Sequence, residues 1–134
     1  MSDLGPALYV DASALVKLVK TEPETADLSE LVTASELHLT SSEIVEVELL
    51  RAVRRHEPAL LRRAWEILDG LIMIPFTGSI RARARSIDPA SVRSLDAIHV
   101  ATAIEIRPHL NSLLTYDERM IEAASSCGIP VTRP

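Results

Sequence analysis

The stretch Ala7–Leu8–Tyr9–Val10–Asp11–Ala12–Ser13–Ala14–Leu15–Val16–Lys17 decides the fold. Ala7 to Val10 reads as a short strand and Ala12 to Lys20 as a helix, with Asp11 alone at the joint. A strand that passes straight into a helix opens a βαβ unit, and the rest of the chain repeats the alternation. Glu24 to Thr33 reads as a second helix with Pro23 in its first turn. Leu37 to Leu39 reads as a strand, and Ser42 to His56 as a longer helix. Pro58 opens another helix to about Asp69, and Gly70 suits its C-terminal stop. Leu71 to Pro75 is a strand, and helices follow at about Ser79 to Ser86 and Leu95 to Ile106. Leu113 to Thr115 is a strand and Glu118 to Ser126 a helix, with Gly128 a natural stop before a last strand around Val131. The expectation is one domain over residues 1–134, a three-layer α/β/α fold with a central parallel sheet and helices on both faces.

Bulk properties agree with this reading. At 134 residues the chain has the size of one domain, and 47% hydrophobic residues suffice for a packed core. Only 3% of residues are aromatic, so Leu, Ile, Val and Ala must fill it, as they do where helices pack on a parallel sheet. Cys127 is the single cysteine, which excludes an internal disulfide, and no Cys/His cluster has zinc spacing. Met1–Ser2–Asp3 shows neither the basic nor the apolar region of a secretory signal, and no apolar run approaches the ~18 residues of a membrane span. A cytoplasmic protein without a membrane partner is expected.

The net charge of −5 argues, by itself, against a nucleic-acid binder. The arginines are nevertheless gathered, Arg51, Arg54, Arg55, Arg62 and Arg63 in one stretch and Arg81, Arg83 and Arg85 in another. Either group alone reads most simply as a solvated helix face. The first is also a candidate contact for a nucleic-acid backbone or a protein partner.

The acidic residues carry the chemistry. All strands of a parallel sheet end at one edge, and ligands bind in the crevice there. Asp11 and Asp117 each follow a strand and precede a helix, and Asp96 lies in or just before the first turn of its helix. For any one of them helix capping is a sufficient explanation, worth ~1 kcal/mol. Glu48 is different: it lies one turn from both Ile44 and Ala52, on the apolar side of its helix, whereas Glu43 and Glu46 project away. A buried carboxylate needs a partner, either an arginine or a metal ion. Three Asp at converging strand ends with one inward Glu make an oxygen-ligand set suited to Mg²⁺ or Mn²⁺. Such a site serves phosphodiester hydrolysis, because the metal polarises the phosphoryl group and activates water.

At these residues the sequence resembles the PIN-domain family and, within it, the VapC-type toxins. Tyr9 to Lys17 resembles the family's opening segment with its first metal-binding Asp. Ser42–Glu43 followed by Val47–Glu48–Leu49–Leu50–Arg51–Ala52 resembles the second motif, with Glu43 as a substitute for Glu48 should the motif shift by a turn. Leu95–Asp96–Ala97–Ile98–His99–Val100–Ala101–Thr102–Ala103 is similar to the third and most specific motif. Leu114–Thr115–Tyr116–Asp117, continuing to Ala123–Ala124 and Gly128–Ile129–Pro130–Val131, resembles the closing segment. The resemblance implies an Mg²⁺- or Mn²⁺-dependent endoribonuclease, the toxin of a type II toxin–antitoxin pair. It further implies a cognate VapB-type antitoxin, an RNA substrate and a homodimer. Asp11 and Asp96 would be the core metal ligands, with Glu48 and Asp117 completing the catalytic set. Ser13 would hold a metal-bound water or cap the helix. His99 reads as a packed, hydrogen-bonded residue outside catalysis, and Trp65 as a core or dimer contact.

Rivals fare worse. A receiver-like phosphoacceptor needs an acidic pair after the first strand, an Asp ending the central strand and a late lysine, but no lysine follows Lys20. A phosphatase with an Asp nucleophile would carry an acid where Ser13 stands. A catalytically weak PIN domain acting by RNA or protein binding is the remaining alternative.

Overall fold

The computed structural model describes residues 5–34 and 36–134, so the reading of Met1–Ser2–Asp3 lies outside the described residues. Five strands, β1 (Ala7–Val10), β2 (His38–Ser42), β3 (Ile72–Ile74), β4 (Leu110–Leu114) and β5 (Val131–Thr132), form one sheet in the order β3-β2-β1-β4-β5. Every ladder is parallel. The helices are α1 (Ala12–Val19), α2 (Thr25–Ala34), α3 (Ile44–His56), α4 (Leu61–Asp69), α5 (Gly78–Ala84), α6 (Ser94–Glu105) and α7 (Glu118–Ser126). Short 3₁₀ turns over Pro58–Leu60 and Arg107–His109 lead into α4 and β4.

β1 explains the layering. All four of its residues are buried, as a central parallel strand demands. Successive side chains point to opposite faces. Ala7 and Tyr9 join a core with Ile80, Val100, Leu113, Met120 and Ala123, beneath α5, α6 and α7. Leu8 and Val10 join a second core with Leu15, Leu28, Leu49, Val53 and Leu68, beneath the helices of the first half. The expected three-layer α/β/α architecture is therefore present. The chain fills the sheet from β1 outward to β3, then crosses to the other side for β4 and β5. The ends of β1 and β4 thus form the topological switch point at which ligands bind in such sheets.

Several boundaries differ from the sequence reading. β2 runs on to Ser42 and α3 begins only at Ile44. Thr40, Ser41 and Ser42 are fully buried, because Ser41 Oγ donates to the Val10 carbonyl at 2.6 Å and Ser42 N–H donates to Tyr9 Oη at 3.1 Å. Pro23 sits before α2 rather than in its first turn. The helix expected from Pro58 is a 3₁₀ turn followed by α4. Trp65 is 47% exposed and so is no core residue. Gly128 does end α7 as expected. It has φ +73°, with its N–H on the Ser125 carbonyl and the Ile129 N–H on Ala124, the paired bonds of a Schellman stop. Among the described residues no helix is long and apolar enough to cross a membrane.

Candidate metal centre at the strand ends

Asp11 ends β1 and caps α1. Its extended backbone lets Oδ1 accept from the Ala14 N–H at 3.0 Å, while Ser13 Oγ donates to the same oxygen at 2.7 Å. Oδ2 accepts from Thr115 Oγ1 at 2.6 Å. Asp11 is 2% exposed, and burial raises its pKa above the usual carboxylate range, against the pull of these donors. The cap of α1 is thus Asp11 and not Ser13. Ser13 instead accepts from the Tyr116 N–H at 3.1 Å, tying α1 to the turn after β4.

Asp117 lies in that turn and caps α7, with Oδ1 accepting from the N–H groups of Arg119 and Met120 at 2.9 and 3.3 Å. Its own N–H donates to Thr115 Oγ1 at 3.1 Å. Thr115 therefore fixes two of the acids, a role that no motif in the sequence signalled.

Glu48 sits on α3 with its side chain 18% exposed, and Glu43 and Glu46 are exposed, as their helical positions predicted. The partner of Glu48 within the protein is not the arginine weighed from the sequence. It is His99 of α6, whose Nε2 lies 2.5 Å from Glu48 Oε1. The other ring nitrogen of His99, Nδ1, lies 2.6 Å from Tyr9 Oη. His99 is packed and hydrogen-bonded, as read, yet it touches the acidic set directly. Burial also pushes the Tyr9 phenol pKa far up, so its proton stays on.

Asp96, in the first turn of α6, is half-buried and has no hydrogen-bond or ion-pair partner among the described residues. Its pKa is raised, first by burial and then by the charge of Asp117, with Asp11 and Glu48 adding to it and His99 opposing. That mutual repulsion is the electrostatic sign of convergence. Glu48, Asp96 and Asp117 line one open cleft of ≈ 590 Å³, together with Arg93, Ser94, Leu95, Glu118 and Arg119. Asp11 is almost completely buried and does not line the cleft, but its charge reaches Asp96. Arg93 and Arg119 are at the rim but pair with none of the four acids.

The donor set fits a hard divalent cation in its chemistry: carboxylates with which, among the described residues, no arginine or lysine side chain pairs, and free oxygens on Glu48, Asp96 and Asp117. Lys17, the nearest lysine in the opening motif, is committed to Glu22 and Glu24 at 2.7 and 2.9 Å. Among the described residues no three His, Cys, Asp or Glu side chains close on a common point as a finished metal cage. Mg²⁺ does not require one, since it keeps several waters and takes one or two carboxylates directly.

A model of the PIN domain matches residues 8–125 of the chain. The chain is 39% identical to ribonuclease VapC47 of Mycobacterium tuberculosis (strain CDC 1551 / Oshkosh) over 131 residues, which cover 95% of this chain and 96% of that one. It is 38% identical to ribonuclease VapC35 of the same strain, with the same coverage. Among solved structures, Mycobacterium tuberculosis VapC20, a sarcin–ricin loop cleaving toxin, superposes with a TM-score of 0.74 at 16% identity, over 96% of this chain and all of that one. A toxin–antitoxin complex from Klebsiella pneumoniae gives a TM-score of 0.73 at 20% identity, over 94% of this chain and 96% of that chain. With its motifs at the ends of the expected strands and helices, the chain belongs to the PIN-domain family, in its VapC branch.

Proposed function

We propose that this protein is a divalent-cation-dependent endoribonuclease, the toxin of a type II toxin–antitoxin pair. The observation that carries the proposal is the cleft lined by Glu48, Asp96 and Asp117, with the charge of Asp11 reaching Asp96 and no cationic partner for Asp96 among the described residues. The ribonuclease names of its relatives at 33–39% identity support the choice of RNA.

Asp96, Glu48 and Asp117 would hold Mg²⁺ or Mn²⁺, with Asp11 adding its charge nearby. The bound cation would supply polarisation of a phosphoryl oxygen and a water of lowered pKa. The residues do the positioning. Asp11 is fixed by three donors, which oppose the burial that raises its pKa. Glu48 and Asp117 are each held through one oxygen, which leaves the second free for a ligand. Arg93 and Arg119 at the rim balance the phosphates that must approach an acidic centre in a chain of charge −5. In the same reading the protein is a cytoplasmic homodimer, held in check by a VapB-type antitoxin. Toxin–antitoxin complexes among its structural neighbours support that partner.

The test is cleavage of total RNA by purified, antitoxin-free protein with Mg²⁺ or Mn²⁺, with EDTA, and with Asp96→Asn. Discrete fragments are expected that disappear with EDTA and in the variant. Intact RNA from folded protein that binds Mn²⁺ would favour a PIN domain that acts by binding.

A further inference from the structure

Glu48 is the one acid of the cleft that a helix interior must aim, and two buried residues do the aiming. Tyr9 Oη is the hub. It accepts the Ser42 N–H at 3.1 Å and lies 2.6 Å from His99 Nδ1. Ser41 Oγ and Thr102 Oγ1 also neighbour the phenol, but they spend their own protons on the Val10 and Ile98 carbonyls at 2.6 and 2.7 Å, and the short contact to Nδ1 marks where the phenol's proton goes. With its acceptor side taken by a backbone amide, the phenol has its proton to give, and Nδ1 receives it. The ring hydrogen then belongs on Nε2, 2.5 Å from Glu48 Oε1, so His99 donates to the carboxylate. Tyr9 and His99 are both completely buried, and their rings meet edge to face with centroids 5.7 Å apart, so the imidazole cannot turn away.

We infer that Tyr9 and His99 are positioning residues for Glu48: Tyr9 sets the tautomer of His99, and His99 holds one carboxylate oxygen so that the other is presented to a divalent cation. This rests on the cleft being the cation site proposed above. Anchoring a long side chain removes rotamer freedom that would otherwise be lost on binding. Partners that orient a ligating side chain typically change metal affinity by about 10–100-fold when removed.

The test uses the full chain and Mn²⁺ alone as probe. Titration of Mn²⁺ is followed by electron paramagnetic resonance for wild type, Asp96→Asn, His99→Gln, His99→Leu and Tyr9→Phe. Glutamine can both accept from Tyr9 and donate to Glu48, so His99→Gln should stay within about threefold of wild type, whereas His99→Leu should lose roughly 10–100-fold. Tyr9→Phe should lose less, on the order of threefold or more. Long-range ¹H–¹⁵N spectra of ¹⁵N-histidine protein, with four histidines in the chain, should show His99 as the Nε2–H tautomer, and Tyr9→Phe should end that preference. Wild-type affinity in folded His99→Leu, an equal loss in His99→Gln and His99→Leu, or an Nδ1–H tautomer would each overturn the inference. If His99→Leu does not fold, an unchanged affinity in Tyr9→Phe overturns it. Wild type that differs from Asp96→Asn while the His99 and Tyr9 variants match wild type sinks this inference alone. Wild type that binds no Mn²⁺ sinks the cation site and the positioning role with it.

Discussion

Asp96 shows what a single side chain can report. Its carboxyl is half-buried, without a partner, and raised in pKa by burial and by neighbouring acids. A carboxyl whose folded pKa lies above its unfolded value contributes stability below the ordinary Asp range and loses it as pH rises through the raised pKa. At neutral pH in EDTA the charged Asp96 is thus a net cost. Asp96→Asn should melt higher there, by about 1 kcal/mol at most after solvent screening, or roughly 3–5 °C. The gap should close near pH 4, and thermal melts across pH would show it. Added Mn²⁺ should raise the melting temperature of wild type and leave that of the variant nearly unchanged. Asp11 behaves differently, because its oxygens already serve Ser13, Ala14 and Thr115. Asp11→Ala should lower stability by about 1–2 kcal/mol at neutral pH, through the lost cap and the two hydroxyls, of Ser13 and Thr115, that lose their acceptor, as read by urea denaturation.

Elements carry their own test in the stop of α7. Gly128 has φ +73° and open space where a Cβ would sit, so Gly128→Ala meets no clash and bears only the backbone cost, ~1 kcal/mol. The urea midpoint should fall with an unchanged slope, and Mn²⁺ affinity should not move. At this scale the sequence was most legible where one local rule decides. Four buried residues in a row announced β1, and Gly128 announced the end of α7. Legibility failed where polar residues are buried by distant partners. Thr40, Ser41 and Ser42 look like turn and cap residues, and only the carbonyl of Val10 and the hydroxyl of Tyr9, some thirty positions away, make them strand. Thr115 and the histidine link to Glu48 were hidden for the same reason, because each depends on contacts across |i−j| of 104 and 51. The four acids, by contrast, stood out by position: Asp11 and Asp117 after strands, Asp96 in the first turn of a helix, and Glu48 on an apolar helix face.

Across the whole molecule, charge is arranged so that an acidic protein can offer cationic surface. A second cleft of ≈ 400 Å³, lined by Arg81, Arg85, Phe76 and Ile98, shares Ser94 with the acidic one. Arg83 of the same helix is paired with Glu105, whereas Arg81 and Arg85 are exposed and have no carboxylate partner among the described residues. In an Asp96→Asn background, Arg81→Ala with Arg85→Ala should weaken binding of an oligoribonucleotide and flatten its salt dependence by roughly 1.5 in log–log slope. Unchanged slope in a filter-binding series would place the strand elsewhere, with the exposed Arg51, Arg54 and Arg55 face of α3 the next to test. The order of the sheet has a consequence for synthesis. Asp11 and Glu48 lie before the crossover and Asp96 and Asp117 after it, with β4 docking against β1 from the far side. A nascent chain that has emerged as far as β3 holds half of the acids and an open edge on β1. The acidic cleft is therefore assembled only once β4 and the turn after it have docked on β1, and a partly emerged chain carries its acids apart.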